Sequence, residues 1–300
     1  MPNIYQNISK NKQETVLIMV LFVAIVSFLG WFVGEFYFDG SGTFFIGLAL
    51  IFSGISAFIS YYNSDKMVLA LSGAVELDPE QNRDLYHVVE NVCIAAGLPL
   101  PKIYIIEDSA MNAFATGRDP EHSVICFTTG MISSLEKREL EGVTAHELSH
   151  IGNYDIRLMS IVSVLVGTVT LLADWFTRGM FYGKRSRSNN SSELSGIILI
   201  FRLIFMILSP IIATFIKLAV SRNREYLADS SAALITRYPA GLASALRKLS
   251  QDQEILEAAN GATAHLYISN PLRSDLSGKI AQLFNTHPPI EERIRRLESM

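Results

Sequence analysis

The sequence predicts a mostly helical α+β protein, in which a water-facing part with a small β-sheet is fused to transmembrane helices. Two observations carry this. Hydrophobic residues make up 49% of the 300 positions and charged residues only 18%, against about 25% charged in an ordinary soluble domain. The charges are unevenly spread: long uncharged runs alternate with polar segments of helical and short-strand character. Global disorder is excluded by the aliphatic and aromatic content. The formal net charge of -4 argues against nucleic acid as a partner. Two cysteines, Cys93 and Cys126, are too few for a disulfide framework or a thiolate metal site and read as small buried apolar residues.

Taken in chain order, residues 1–14 are expected to be a cytoplasmic N-terminus and 15–64 a transmembrane hairpin. Its runs Thr15 to Gly34 and Gly40 to Ser64 are each bounded by acidic residues, and about 20 helical residues cross a hydrocarbon core of roughly 30 Å. The first run lacks a small-x-small cleavage site and is followed directly by the second, so it reads as a retained anchor rather than a signal peptide. Lys10 and Lys12 precede it, whereas the connector carries Glu35 and Asp39. The positive-inside rule therefore places both the N-terminus and everything from Asp65 onward in the cytoplasm.

Residues 65–157 form the first water-facing part. A helix is expected over Pro79 to Ala96, with Asp78 as N-cap and Gly97 as stop. Strands are expected at Lys102 to Ile106 and Ser123 to Phe127, an extended piece at Asn112 to Gly117, and a helix at Glu136 to Asn153. Residues 158–220 read as a second apolar helical pair. Leu158 to Ala173 is short, and Gly196 to Val220 carries Arg202 and Lys217 near its ends, where long basic side chains snorkel. Between them, 178–195 is rich in Ser, Asn and basic residues and reads as a mobile loop. Its Arg178, Lys184, Arg185 and Arg187 oppose an outward placement, which leaves open whether this pair crosses the bilayer. Residues 221–300 read as helical apart from a loop around Asn260 to Asp275.

The strongest chemical signal is His146-Glu147-Leu148-Ser149-His150. Histidines four apart share a helix face, so both imidazoles reach one zinc ion. Glu147 is turned about 100° away, which suits it to act as a general base on water that the metal activates. A catalytic zinc needs a third protein ligand and an open position. His87, His122, His265 and His287 are candidates, but Glu225 and Asp229, four apart on a predicted helix, present a better case. One of the two can ligate the metal while the other fixes a histidine tautomer. If the apolar pair 158–220 forms an antiparallel hairpin, it brings the two helices side by side.

Four blocks in this order, Asn112-Ala113-Phe114-Ala115-Thr116-Gly117, His146 to His150, Ser221 to Asp229 and Thr286-His287-Pro288-Pro289, resemble the HtpX family of membrane-bound zinc metalloproteases, which are related to the CAAX prenyl proteases. The resemblance implies a zincin-type metalloprotease domain with one zinc per chain. It implies that His146, His150 and Glu225 are the ligands, Asp229 supports them and Glu147 is the base. It further implies that the edge strand Asn112, Ala113, Phe114 and Ala115 pairs with the substrate backbone, and that His287 donates to the oxyanion, although Thr286-His287-Pro288 also fits a plain helix start. Unfolded or damaged membrane proteins become the expected substrates, the inner membrane the location, quality control under stress the role, and self-cleavage an accompanying activity. Two other classes compete with this one. An intramembrane protease would bury its His-Glu-x-x-His motif in an apolar span, but here the flanks are polar. A membrane-anchored zinc-binding scaffold without peptidase activity would have no need of Glu147.

Overall fold

The computed structural model describes residues 4–37, 40–182, 221–260, 262–269, 271 and 288–300. The expected span 196–220, most of the loop 178–195 and His287 lie outside the described residues.

Two long helices open the chain, α1 (Ile4–Tyr37) and α2 (Gly42–Leu71). Both are long and apolar enough to cross a membrane. They present apolar side chains outward, with Val16, Val20 and Phe28 on α1 and Phe44, Ile51 and Phe58 on α2 each more than half exposed, as a lipid-facing surface requires. Helix α1 starts well before the apolar run, so residues 4–14 of the expected cytoplasmic N-terminus are helical. Helix α2 kinks at Asn63, beside the charge-defined end of its run, and continues to Leu71. There Val68 and Leu69 are buried in the domain that follows.

That domain is built on a four-stranded sheet of β1 (Val75–Glu76), β2 (Lys102–Ile106), β3 (Ala113–Asp119) and β4 (His122–Thr128), in the order β1-β2-β4-β3. Strands β2 and β4 are parallel and the outer pairings antiparallel. The two-residue β1 is too short to leave a periodic signal in the sequence. Side chains alternate across a strand, and β4 uses both faces. Ile125 and Phe127 join a core with helix α3 (Arg83–Ala96) and helix α5 (Lys137–Gly152), whereas Val124 and Cys126 join a second core with α1, the end of α2 and helix α6 (Asp155–Tyr182). The sheet is thus the seam between helices α3 and α5 on one face and the long helices α1, α2 and α6 on the other. The first turns of α6 belong to that seam, since Ile156, Leu158, Ile161 and Val162 are fully buried. Helix α6 runs on to Tyr182, so 178–182 is helical where the sequence suggests a loop.

Helix α3 begins at Arg83, not Pro79, because Asp78 spends its carboxylate on the Glu80 N–H in a local turn and Asn82 becomes the N-cap. It ends at Gly97, as expected, in the left-handed conformation that glycine takes freely. After a short helix α4 (Thr129–Ser134), α5 is flanked by Glu136 and Asn153. Among the described residues the remaining elements are α7 (Arg222–Thr236), α8 (Pro239–Gln251), a 3-10 turn (Ala264–Leu266) and α9 (Ile290–Glu298). The expected loop begins earlier than Asn260, already at Asp252. Helices α5 and α8 touch at Gly142, where a Cβ would stand 2.7 Å from the Leu242 nitrogen.

Glu139 fastens the start of α5. Its carboxylate accepts from the Glu136 N–H at 2.7 Å, Ser244 Oγ at 2.6 Å and Lys248 Nζ at 2.7 Å. Burial raises its pKa, but these hydrogen bonds outweigh burial and hold it below the usual 4.5. A depressed carboxylate pKa stabilises the fold above its unfolded value, and that stabilisation disappears as pH falls through the folded value. Glu139→Gln is therefore expected to lower stability by about 1–3 kcal/mol at pH 7 and to match wild type once the pH is well below 4.5. Thermal melts in detergent across that range check it; an equal deficit at both ends would show that charge is not involved.

Candidate metal centre

Helix α5 carries His146, Glu147 and His150 into the interior, and α7 crosses it with Glu225 and Asp229; all five are at most 4% exposed. The Nε2 atoms of His146 and His150 stand 3.3 Å apart. Glu225 Oε2 lies 3.7 Å from the first and Oε1 3.6 Å from the second. Donors bound tetrahedrally at about 2.0–2.1 Å from one ion are roughly 3.4 Å from each other, so this triad fits zinc. Among the described residues, it is the one group of this kind that can hold a metal ion.

The opposite edge of each imidazole supports the same reading. His146 Nδ1 is 3.0 Å from Asp229 Oδ1, and His150 Nδ1 is 2.9 Å from Asp155 Oδ2. A carboxylate at Nδ1 keeps a proton there, so that Nε2, facing the shared point, is the nitrogen free to bind a metal once any proton on it has left. Without metal, burial and the Arg293 guanidinium push His146 down to about 4 against the pull of Asp229. Burial also disfavours the charged form of His150, but its bond to Asp155 and the charge of Glu225 lift it to about 9. Glu147 stands beside this pair, pushed up to about 7 chiefly by burial, with the Ala115 N–H directed at its carboxylate.

Arg293 of α9 closes the centre. It is fully buried, with Nε 2.9 Å from Asp229 Oδ2 and Nη2 2.7 Å from Oδ1, a two-point grip. Nη1 lies 3.5 Å from Glu225 Oε2 and donates to the Ile268 carbonyl at 3.3 Å. Sequence reasoning misses both Arg293 and Asp155. Arg293 falls on the apolar stripe of Ile290, Ile294 and Leu297, where a charge is out of place unless paired. Asp155 passes for one more polar residue flanking the zinc helix.

The strand expected to meet substrate lies at the sheet edge. Ala113 and Ala115 face the α5 core, whereas Phe114 packs edge-on against Tyr267 in the membrane-side core. The Asn112 end of the edge is occupied: Ile268 N–H donates to the Ala113 carbonyl at 3.0 Å, and Asn112 Nδ2 donates to the Ser269 carbonyl at 3.1 Å. His87 and His122 are exposed and pair with Glu90 and Asp119, and buried His265 meets Ser163. Both cysteines are buried, and burial raises their thiol pKa values, which leaves them unreactive. Arg224 pairs with Glu14 and Asp155.

A buried two-histidine, one-glutamate cluster on a domain that follows two helices able to cross a membrane is the framework of a membrane metalloenzyme. Residues 79–300 match the model of peptidase family M48, and the chain belongs to that family. The curated relatives it resembles are named protease HtpX homologs. One from Caldanaerobacter subterraneus subsp. tengcongensis is 45% identical over 300 residues, covering 99% of this chain and 98% of the relative. One from Streptococcus uberis is 40% identical, covering 99% and 100%. Among solved structures, Ste24p of S. mikatae shares the fold with a TM-score of 0.50 and 20% identity. The match covers 94% of this chain and 62% of Ste24p.

Proposed function

We propose that the chain is a zinc-dependent endopeptidase of the inner membrane, with its site facing the cytoplasm and misfolded or damaged membrane proteins as substrates. The observation that carries this reading is the convergence of two carboxylate-oriented imidazoles and Glu225 beside a buried Glu147. His146, His150 and Glu225 would hold the zinc ion, which would supply Lewis acidity towards the scissile carbonyl and towards a water. Glu147 takes the proton of that water on its carboxylate and delivers it to the leaving amine. Asp229 and Asp155 hold the imidazole tautomers, and Arg293 neutralises Asp229 so that it remains an acceptor. His287 is assigned to the developing oxyanion. The substrate backbone runs along the β3 edge at Ala113 and Ala115, replacing the bond from Ile268. The cytoplasmic placement is supported by the basic residues Lys10 and Lys12 at the same end of α1 that meets the metal-bearing domain.

The test is cleavage of an unfolded protein by detergent-purified enzyme, stripped with chelator and restored with zinc. Glu225→Ala is expected to lose zinc affinity and activity together; a zinc-replete, active Glu225→Ala protein would remove Glu225 from the ligand set. A folded, zinc-loaded wild type that cleaves nothing would favour the scaffold reading.

A further inference from the structure

Helix α1 does more than anchor the chain. In its first turns Asn11 is buried, and its side chain is fully engaged with the metal-bearing domain. Asn11 Nδ2 donates to the Asn153 carbonyl at 2.9 Å and to Asp155 Oδ1 at 2.6 Å. Its Oδ1 accepts from Arg224 Nε at 3.1 Å. The chemistry fixes the amide's orientation, because a flip would set oxygen against carboxylate and NH2 against guanidinium. Arg224 also reaches Asp155 Oδ1 at 3.3 Å and pairs with Glu14, one turn along α1. Lys12 lies 4.2 Å above the Tyr154 ring, and Tyr154 has φ 62, an uncommon conformation for a non-glycine residue. Every residue of the turn 153–155 is thus gripped by α1.

That turn matters because Asp155 has two oxygens with two duties. Oδ2 holds His150 Nδ1, and Oδ1 is held by Asn11 and Arg224. Arg224 directly precedes Glu225 in sequence. One amide on a membrane helix therefore joins the helix bearing His150 to the helix bearing Glu225. We infer that Asn11 is a positioning residue of the metal centre: through Asp155 and Arg224 it sets the orientation of His150 and the spacing of Glu225, so that zinc affinity depends on how α1 is seated. This rests on the reading of His150 and Glu225 as ligands.

The experiment uses the full-length protein in detergent and two readouts, zinc affinity by competition with a chromophoric chelator and the absorption spectrum of the cobalt-substituted site. Loss of a residue supporting a metal ligand typically weakens binding about 10–100-fold. Asn11→Leu is expected to fall in that range and to shift the cobalt bands. Thr15→Val is the control: Thr15 is equally buried one turn away, but its hydroxyl donates only within α1, to the Asn11 carbonyl, and wild-type affinity is expected. If Asn11→Leu is not recovered folded, the near-isosteric Asn11→Asp, which sets a second carboxylate against Asp155, is expected to weaken zinc in the same direction. A folded Asn11 variant with wild-type zinc affinity and cobalt spectrum overturns the inference. So does an equal loss in Thr15→Val, which would make the effect one of general packing. His150→Ala run alongside separates the layers: if it too binds zinc as wild type does, the ligand assignment itself has failed.

Discussion

Glu147→Gln is expected to bind zinc as tightly as wild type and to cleave peptide bonds about 10²–10⁴-fold more slowly. Glutamine keeps the shape of the side chain and an oxygen for the Ala115 N–H, so the packing of α5 against β3 survives. Only the capacity to take and return a proton is lost. The ligand atoms that converge belong to His146, His150 and Glu225, so the metal has no reason to leave. Burial lifts the Glu147 carboxyl to about 7 in the metal-free centre, the direction that makes a carboxylate a better proton acceptor. Single-turnover cleavage, measured beside chelator competition on the same preparation, checks both halves. A variant that loses metal as well would mean that Glu147 supports the site structurally.

Arg293→Met is expected to destabilise the metal-free protein by about 3–5 kcal/mol, more than Glu139→Gln does. Methionine fills much of the volume but leaves the buried carboxylates of Asp229 and Glu225 without the cation that grips one and faces the other. Zinc brings two positive charges to the same place, so the deficit should shrink when metal is present. Thermal melts of the apo and zinc-loaded forms check this, the expected pattern being a much larger zinc-induced rise in Tm for the variant than for wild type. Arg293→Lys retains the charge but not the two-point grip and should fall between the two. Equal deficits with and without zinc would show that Arg293 acts through α9 packing alone.

Legibility from sequence follows how local each part of the centre is. His146 and His150, like Glu225 and Asp229, can be read directly because a helix puts residues four apart on one face. The strands β2 and β4 can be read from their apolar runs, and Gly97 from its role as a stop. Arg293 is within reach, since a charge on an otherwise apolar helical stripe must find a buried partner. Asp155 is not. Its approach to His150 depends on the chain reversing at Tyr154 in a left-handed conformation, for which tyrosine gives no signal. Asn11 is further still from view. Amid Lys10, Lys12 and Glu14 it resembles any solvated polar turn, and its partners lie 142 to 213 residues away. The start of α3 is misplaced in the sequence because Asp78 can cap a helix or a local turn, and Pro79 is compatible with both.

The way the centre is stitched together also fixes when it can exist. Its donors sit on α5 and α7, and apart from Asp229 of α7 the groups that hold them come from α1, from the turn at the start of α6 and from α9, with Arg293 meeting His146 across 147 residues of chain. A nascent or half-inserted chain presents two histidines on an isolated helix, with neither tautomer fixed and no third donor within reach. Contacts this far apart in sequence form late in folding, after the entropy of closing long loops has been met. A site assembled this way needs the completed fold, so metal binding is expected only once α1, α7 and α9 have docked.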